Sequence, residues 1–410
     1  MEYGLIGEKL THSFSKEIHA KIGNYPYELL EIPREKLSEF LALKNFRAVN
    51  VTIPYKEAVI PFLNGISAEA KKIGAVNLIV NKNGVLYGYN TDYYGAKRMI
   101  ERAGIHVNGK KTLILGSGGT KKTLYAVLSD LGAKEILIVS RKKSDGTITY
   151  EEAVSLHSDA EIIANATPVG MFPAIDDMPI DPDLFKNLSG VIDVIYNPLT
   201  TRLIESAQAR GIPHTNGLYM LAAQAVRAYS VVKDVPTDEA LCESVYVKTL
   251  REKRNVVLIG MPSSGKTEIG KRIAEKTGRI FIDTDLLTEQ RTGKSPAAFI
   301  REYGEAAFRA EEAISVKEAA AKTGCVIATG GGIINVSGNI RFLKKNGKIF
   351  FLDRPLSLLS ADENHPLSET RAALERLYEK RLPLYLSAAD ELIKNDSDEE
   401  SAAEQILRGL

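Results

Sequence analysis

Two cysteines, Cys242 and Cys325, are all the chain has in 410 residues. That is too few for a disulfide framework and points to a reducing cytoplasm. Tryptophan is absent, which by itself decides nothing. No stretch approaches the roughly 18 consecutive apolar residues of a membrane span. The N-terminal MEYGLIGEKL carries Glu2 and no long apolar core, so it does not read as a secretory signal. Neither sign of charge dominates: the formal net charge is +1, and no broad basic field argues for nucleic acid. These absences leave small molecules as the expected partners, without nucleic acid or membrane, and say nothing of oligomeric state. Hydrophobic residues at 44% and charged residues at 26% are ordinary for a globular protein. The length suggests two or three domains.

Short Val/Ile/Leu runs alternate with amphipathic segments throughout, which predicts an α/β architecture with largely parallel sheets. Residues 1–92 hold the strand candidates YGLIG, YELLEI, AVNVTI and AVNLIV. Residues 93–216 begin with a helix and continue through the strand KTLILGSGG. A helical segment at 217–232 is expected to pack back on the first block. Residues 233–254 are polar and charged around one helix and read as a linker, with a last domain at 255–410.

The strongest chemical signal is VVLIGMPSSGKT, a strand running into G-x-x-x-x-G-K-T. Gly260 and Gly265 let the backbone curl, with Ser263 and Ser264, so that its N–H groups face a phosphate chain. Lys266 supplies charge to the terminal phosphates and Thr267 a hydroxyl to Mg²⁺. The next helix aims its positive dipole end at the same anion. In FIDTD, Asp283 and Asp285 alternate along a strand end expected near this loop. One carboxylate can reach the metal and the other can accept a proton from an attacking hydroxyl. Alternatively, both acids cap the following helix.

Upstream, LILGSGGTKKT places Gly116, Gly118 and Gly119 between a strand and an apparent helix. Many tight turns read this way, but about 20 residues on a strand ends in Ser140-Arg141-Lys142-Lys143. A basic cluster there suits the 2′-phosphate of NADP where an acid would suit NAD; a solvated loop is the bland alternative. AVNVTI ends at Pro54, with Thr52 close to the N-cap of a helix that carries Lys56 near its positive end. GYNTDYYGAK places Asp92 at another helix start, where it can cap. A lysine and an aspartate at such junctions form a plausible acid/base pair; each alone reads as a surface lysine or a capping acid.

Together GLIGEKLTHSFSKEIHA, AVNVTIPYK, IGAVNLIV, GYNTD, GSGG, NATPVGM, DVIYNPLTTRL and NGLYMLAAQA resemble shikimate dehydrogenase over about 1–230. GMPSSGKT, FIDTDLLTEQRTGKS, GEAAFRAEE and ATGGG resemble shikimate kinase over most of 255–386. The resemblances imply a three-layer α/β substrate domain completed by helix 217–232, a Rossmann-type NADP domain and a P-loop kinase domain with a parallel sheet. They imply NADPH-dependent reduction of 3-dehydroshikimate, then transfer of the ATP γ-phosphate to shikimate. In the first half, Ser13 and Ser15 would bind the carboxylate, and Thr52, Asn77, Asp92 and Gln224 the ring oxygens. Lys56 would protonate the carbonyl oxygen, with Asp92 orienting it. Asn165, Thr167, Met171 and Gly217 would line the nicotinamide. In the second half, Asp285 would serve as base and bind hydroxyls, while Asp283 would help hold Mg²⁺. Arg309 and Arg381 would pair with the carboxylate, and Gly330, Gly331 and Gly332 would let the backbone approach the ring.

The sequence departs from these families in two places. His365 stands in ENHPLS where the kinase lid usually presents arginine, leaving Arg371 as another possible cation. Thr120-Lys121-Lys122-Thr123 and Ser140-Arg141-Lys142 replace the usual dehydrogenase cofactor motifs while keeping positive charge. A quinate/shikimate dehydrogenase joined to another small-molecule kinase, or a kinase half that binds without turnover, are the alternatives the sequence leaves.

Overall fold

The structure, a computed structural model, describes residues 1–10, 14–361 and 370–410. Contacts divide it into two units: Met1–Tyr196 with Thr201–Thr249, and Asn197–Thr200 with Leu250–Leu410. Ser13 and His365 lie outside the described residues.

The first unit holds two six-stranded sheets. One is built from β1 (Tyr3–Gly7), β2 (Glu28–Glu31), β3 (Ala48–Val51), β4 (Gly65–Ile66), β5 (Leu78–Lys82) and β6 (Val85–Tyr89), in the order β2-β1-β3-β5-β6-β4. It is mixed: β1 pairs in parallel with β2 and β3, whereas β5 runs antiparallel to β3 and β6. The sheets are largely parallel as expected, and the antiparallel pairs are confined to β5, onto which a tight turn after Lys82 folds β6 straight back.

The other sheet comprises β7 (Lys111–Leu115), β8 (Glu135–Val139), β9 (Thr147–Ile148), β10 (Ile162–Asn165), β11 (Gly190–Asp193) and β12 (His214–Thr215), ordered β12-β11-β10-β7-β8-β9. Every pair in it is parallel. The order reverses between β7 and β10, the switch point at whose carboxyl edge doubly wound folds bind ligands. Helices Thr91–Arg102 and Leu218–Lys233 share one apolar core with this sheet, through Met99, Ile100, Ala222 and Val226 against Ile114, Ile162 and Ile192. They approach closely because Gly95 lacks a side chain: a Cβ there would sit 2.5 Å from the Met220 carbonyl oxygen.

The segment read as a linker contains a helix, Glu239–Lys253. Its Cys242, Val245 and Tyr246 pack on the same core. Glu239 pairs with Arg98, and Glu243 takes both arms of Arg102 at 2.7 and 2.8 Å. Arg102 also lies over the rings of Tyr219 and Tyr246.

The second unit is built on β13 (Asn255–Ile259), β14 (Phe281–Asp283), β15 (Val326–Ala328), β16 (Gly347–Asp353) and β17 (Glu391–Lys394), all parallel and ordered β14-β15-β13-β16-β17. Val256–Ile259 are fully buried, as expected of a central strand covered on both faces. The loops after β13, β14 and β15 all leave the same carboxyl edge.

Candidate functional sites

In the first unit, Lys56 and Asp92 come together. The ammonium donates to Asp92 Oδ2 at 2.6 Å, a short charge-assisted bond. Lys56 lies in a single helical turn, Tyr55–Ala58, capped by Pro54. One turn carries little macrodipole, and the contact Lys56 makes is the direct one to the carboxylate. Thr52 stands outside the cap and accepts the Tyr55 N–H through its carbonyl. Asp92 does not cap its helix. Asn90 does, accepting the Tyr93 N–H, which leaves the Asp92 carboxylate available to Lys56.

Beside the pair lies a buried amide network. Asn77 Oδ1 accepts the Thr91 N–H at 2.7 Å, and Asn77 Nδ2 reaches Thr91 Oγ1 at 3.0 Å. Thr91 Oγ1 also reaches Gln224 Oε1 at 3.3 Å, while Gln224 Nε2 donates to the Leu221 carbonyl. Thr91 thus links Asn77 to the distant Gln224, and sequence reasoning did not single it out. Its only signal was its place beside Asp92 in GYNTD. Ser15 opens the helix Ser15–Ile22 and is half-buried.

At the switch point, β7 is followed by Gly116, whose N–H donates to the Val139 carbonyl. The helix Gly119–Asp130 follows, with Gly118 as its cap and no side chain claiming its first N–H groups. Added Cβ atoms at Gly118 and Gly119 would meet nothing within 4 Å, so the turn is open there. Ser140 is half-buried, and Arg141 and Lys142 are exposed on the loop after β8. Across the crevice, Asn165 Oδ1 accepts from the Thr167 N–H and hydroxyl, and its Nδ2 donates to Asp193. Met171 is exposed. Gly217 caps the Gln224 helix, where a Cβ would fall 2.0 Å from the Val194 carbonyl oxygen.

Asp193 is the second residue that the sequence reading missed. It is fully buried and accepts from Asn165, the Ile195 N–H and Thr201 Oγ1. Burial pushes its carboxyl up to about 6, against the pull of these hydrogen bonds.

In the second unit, the loop after β13 carries left-handed backbone at Ser263 and Gly265, the curl that turns N–H groups inward. Helix Lys266–Thr277 starts from Gly265 with no side-chain cap. Lys266 is buried and donates to the Met261 and Gly260 carbonyls at 2.8 and 3.1 Å. Desolvation lowers it to about 8, opposed by Asp285 and Asp283. Ser264 is buried, and its carbonyl accepts from Asn395.

The two acids after β14 divide their roles. Asp283 ends the strand and caps helix Thr284–Thr292 through Oδ1, while its Oδ2 accepts from Thr267 Oγ1 at 2.9 Å. Asp285 lies in the first helical turn, so the two do not alternate along a strand as expected. Burial, then Glu312 and Asp283, push Asp285 up to about 7. Among the described residues no three His, Cys, Asp or Glu cluster for a metal. A carboxylate and a hydroxyl 2.9 Å apart still suit Mg²⁺, which keeps waters and leans on substrate phosphates.

The glycine triplet is shaped by its neighbours. A Cβ on Gly330 would fall 2.4 Å from Asp285 Oδ1, on Gly331 2.8 Å from Pro262 Cδ, and on Gly332 2.0 Å from Arg309 Nη2. Arg309 is held by Glu312 at 2.8 Å and Glu305 at 3.0 Å. Glu312 is fully buried, its Oε2 has no partner among the described residues, and desolvation raises it. It, too, was missed, within FRAEE. Arg381 is buried, its Nε has no partner among the described residues, and desolvation, then the charge of Arg309, disfavours its cation. Arg371 is exposed and pairs with Glu375.

A shikimate kinase family model matches residues 262–410, and a shikimate dehydrogenase substrate-binding domain model matches residues 5–79. The NADP(+) shikimate dehydrogenase of Clostridium beijerinckii is 40% identical over 262 residues, covering 60% of this chain and 96% of that protein. The Halothermothrix orenii enzyme is 38% identical over 278 residues, covering 61% and 94%. Among solved structures, a chorismate mutase/shikimate 5-dehydrogenase fusion protein from Clostridium acetobutylicum matches with 35% identity and a TM-score of 0.57, covering 60% of this chain and 96% of that one. Shikimate 5-dehydrogenase from Thermus thermophilus, in complex with NADP(H) and shikimate, matches at 29% identity and 0.54, covering 60% and 99%. The chain belongs to the shikimate dehydrogenase family and carries a shikimate kinase domain behind it.

Proposed function

We propose that the first unit reduces 3-dehydroshikimate to shikimate with NADPH and that the second phosphorylates shikimate with ATP and Mg²⁺. The observation that carries the first reading is the 2.6 Å Lys56–Asp92 pair beside the Asn77–Thr91–Gln224 network. NADPH, when bound, supplies a hydride to the carbonyl carbon. Lys56 gives a proton to the oxygen that gains charge, and Asp92 orients the ammonium. Thr52, Asn77 and Gln224 bind ring oxygens, and Ser13 and Ser15 the carboxylate. Gly116, Gly118 and Gly119, with the open helix start, receive the pyrophosphate. Ser140, Arg141 and Lys142 favour the extra phosphate of NADP, and Asn165, Thr167, Met171 and Gly217 border the nicotinamide.

For the second unit the supporting observation is the cluster of Asp285 and Glu312 with two desolvated guanidiniums, Arg309 and Arg381. Desolvation, then the charge of Arg309, disfavours the Arg381 cation, and an anionic ligand beside it relieves that cost. A carboxylate suits their planar forks. Asp285 takes the proton of the attacking hydroxyl. Lys266 and the loop from Gly260 to Thr267 hold the phosphates, while Thr267 and Asp283 hold Mg²⁺. The product of the first reaction is then the acceptor in the second. Cys242 and Cys325 are buried and free, which supports a reducing cytoplasm. No described helix is long and apolar enough to cross a membrane.

The test is two separate assays on the full chain: NADPH oxidation dependent on 3-dehydroshikimate, and ADP release dependent on shikimate. Both are expected. Oxidation faster with NADH than with NADPH would contradict the role given to the basic loop, and ADP release without an acceptor would contradict the second site.

A further inference from the structure

Tyr385 has no part in the roles above. It lies on helix Arg371–Ala388, four residues after Arg381, and is fully buried. Pro383 sits between them in the same helix; it cannot donate a backbone hydrogen bond, which loosens the local ladder. The Tyr385 ring stacks on Phe351 of β16, with centroids 5.0 Å apart and planes at 11°. Its hydroxyl contacts two carbonyl oxygens from different loops, Gly331 at 2.5 Å and Gly260 at 2.9 Å. Gly260 opens the phosphate loop, and Gly331 is the middle of the triplet packed on Asp285, Pro262 and Arg309. Burial pushes the phenol up to about 12 against the pull of Arg381, so it stays a donor at neutral pH. It has one proton for two acceptors, and both loops depend on the same group.

We propose that Tyr385 is a positioning residue whose hydroxyl couples the nucleotide loop to the acceptor loop. The inference rests on the kinase reading above. A ligand that fixes either loop fixes the other through the shared hydroxyl, so the second ligand meets a site already ordered and binds more tightly. The loops also touch where Gly331 packs on Pro262; the Tyr385 hydroxyl adds the hydrogen-bonded link between them.

The test is calorimetric titration of Mg·ADP into the full chain, with and without saturating shikimate. Shikimate fills every site it can before the titration begins, so the heat reports Mg·ADP alone. The native chain is expected to bind Mg·ADP about three- to tenfold more tightly with shikimate present, the scale of one buried neutral hydrogen bond. Tyr385→Phe keeps the ring on Phe351 and is expected to bring that ratio to about one. Phe351→Leu loosens the ring but keeps the hydroxyl; it is expected to lower thermal stability and preserve the ratio. A native ratio of one, an unchanged ratio in Tyr385→Phe, or a ratio lost in Phe351→Leu overturns the proposal. Absence of shikimate-dependent ADP release by the native chain would instead remove the kinase reading itself.

Discussion

Lys56 and Asp92 illustrate what a residue pattern can reveal and what it cannot. Their chemistry was readable from two strand-to-helix junctions, but their proximity was not, since they lie apart in the chain and the β3–β5 and β5–β6 pairings bring them together. Lys56→Met is expected to lower the dehydrogenase kcat by about 10²- to 10⁴-fold, the range for a lost general acid, with shikimate phosphorylation unchanged. A steady-state comparison of the two activities checks this. Thr91→Val keeps the shape and the backbone N–H but removes the hydroxyl shared by Asn77 and Gln224. It is expected to raise the 3-dehydroshikimate KM about three- to tenfold, with a smaller change in kcat; an unchanged KM would show that the network does not organise the site. Glu312 was invisible because an acid in the charged run FRAEE gives no sign of burial, and Asp193 because an acid at the end of the strand GVID reads as a residue leaving the sheet. Folded Asp193 holds its proton up to about 6, against a usual value of 3.8. Between those values the folded form binds more protons, so this group's contribution to stability falls as pH rises through the window and is flat above it. Asp193→Asn is expected to remove that slope, worth at most about 3 kcal/mol. Urea unfolding of both forms between pH 4 and about 7 reads the difference, and parallel curves would contradict it.

At the scale of elements, the long buried strands and the two glycine-rich strand-to-helix turns were legible because apolar runs and phosphate-loop spacing are local signals. The edge strand β4 and the returning β6 were not, because two residues give no period and Gly88 interrupts VLYGY. Helix Glu239–Lys253 was read as linker for a physical reason: Glu239 and Glu243 look solvated in sequence, yet both meet arginines of the helix that carries Asp92. Arg102→Ala would remove a partly exposed bidentate pair and two ring contacts. It is expected to cost about 1–2 kcal/mol of stability in the first unit, measured by denaturant unfolding followed through dehydrogenase activity. The glycine triplet is the clearest element-scale constraint in the second unit. Gly332→Ala would drive a methyl group into a guanidinium that Glu305 and Glu312 already hold. Kinase kcat/KM for shikimate is expected to fall about a hundredfold through displacement of Arg309, with the dehydrogenase intact. A near-native rate would mean that the arginine can yield.

For the whole molecule, the account claims that one chain performs two consecutive reactions, the first making the acceptor for the second. The family matches and the two sets of side chains support this from separate stretches of sequence, whereas composition alone could not name the substrates. The most direct measurement supplies the full chain with 3-dehydroshikimate, NADPH and Mg·ATP and follows NADPH loss and ADP formation together. The expected result is ADP formation that lags NADPH loss and approaches one ADP per NADPH. Lys56→Met should abolish both signals but still yield ADP when given shikimate, and Lys266→Met should abolish ADP alone. NADPH loss without ADP, or ADP formation that proceeds unchanged when NADPH is omitted, would contradict the account.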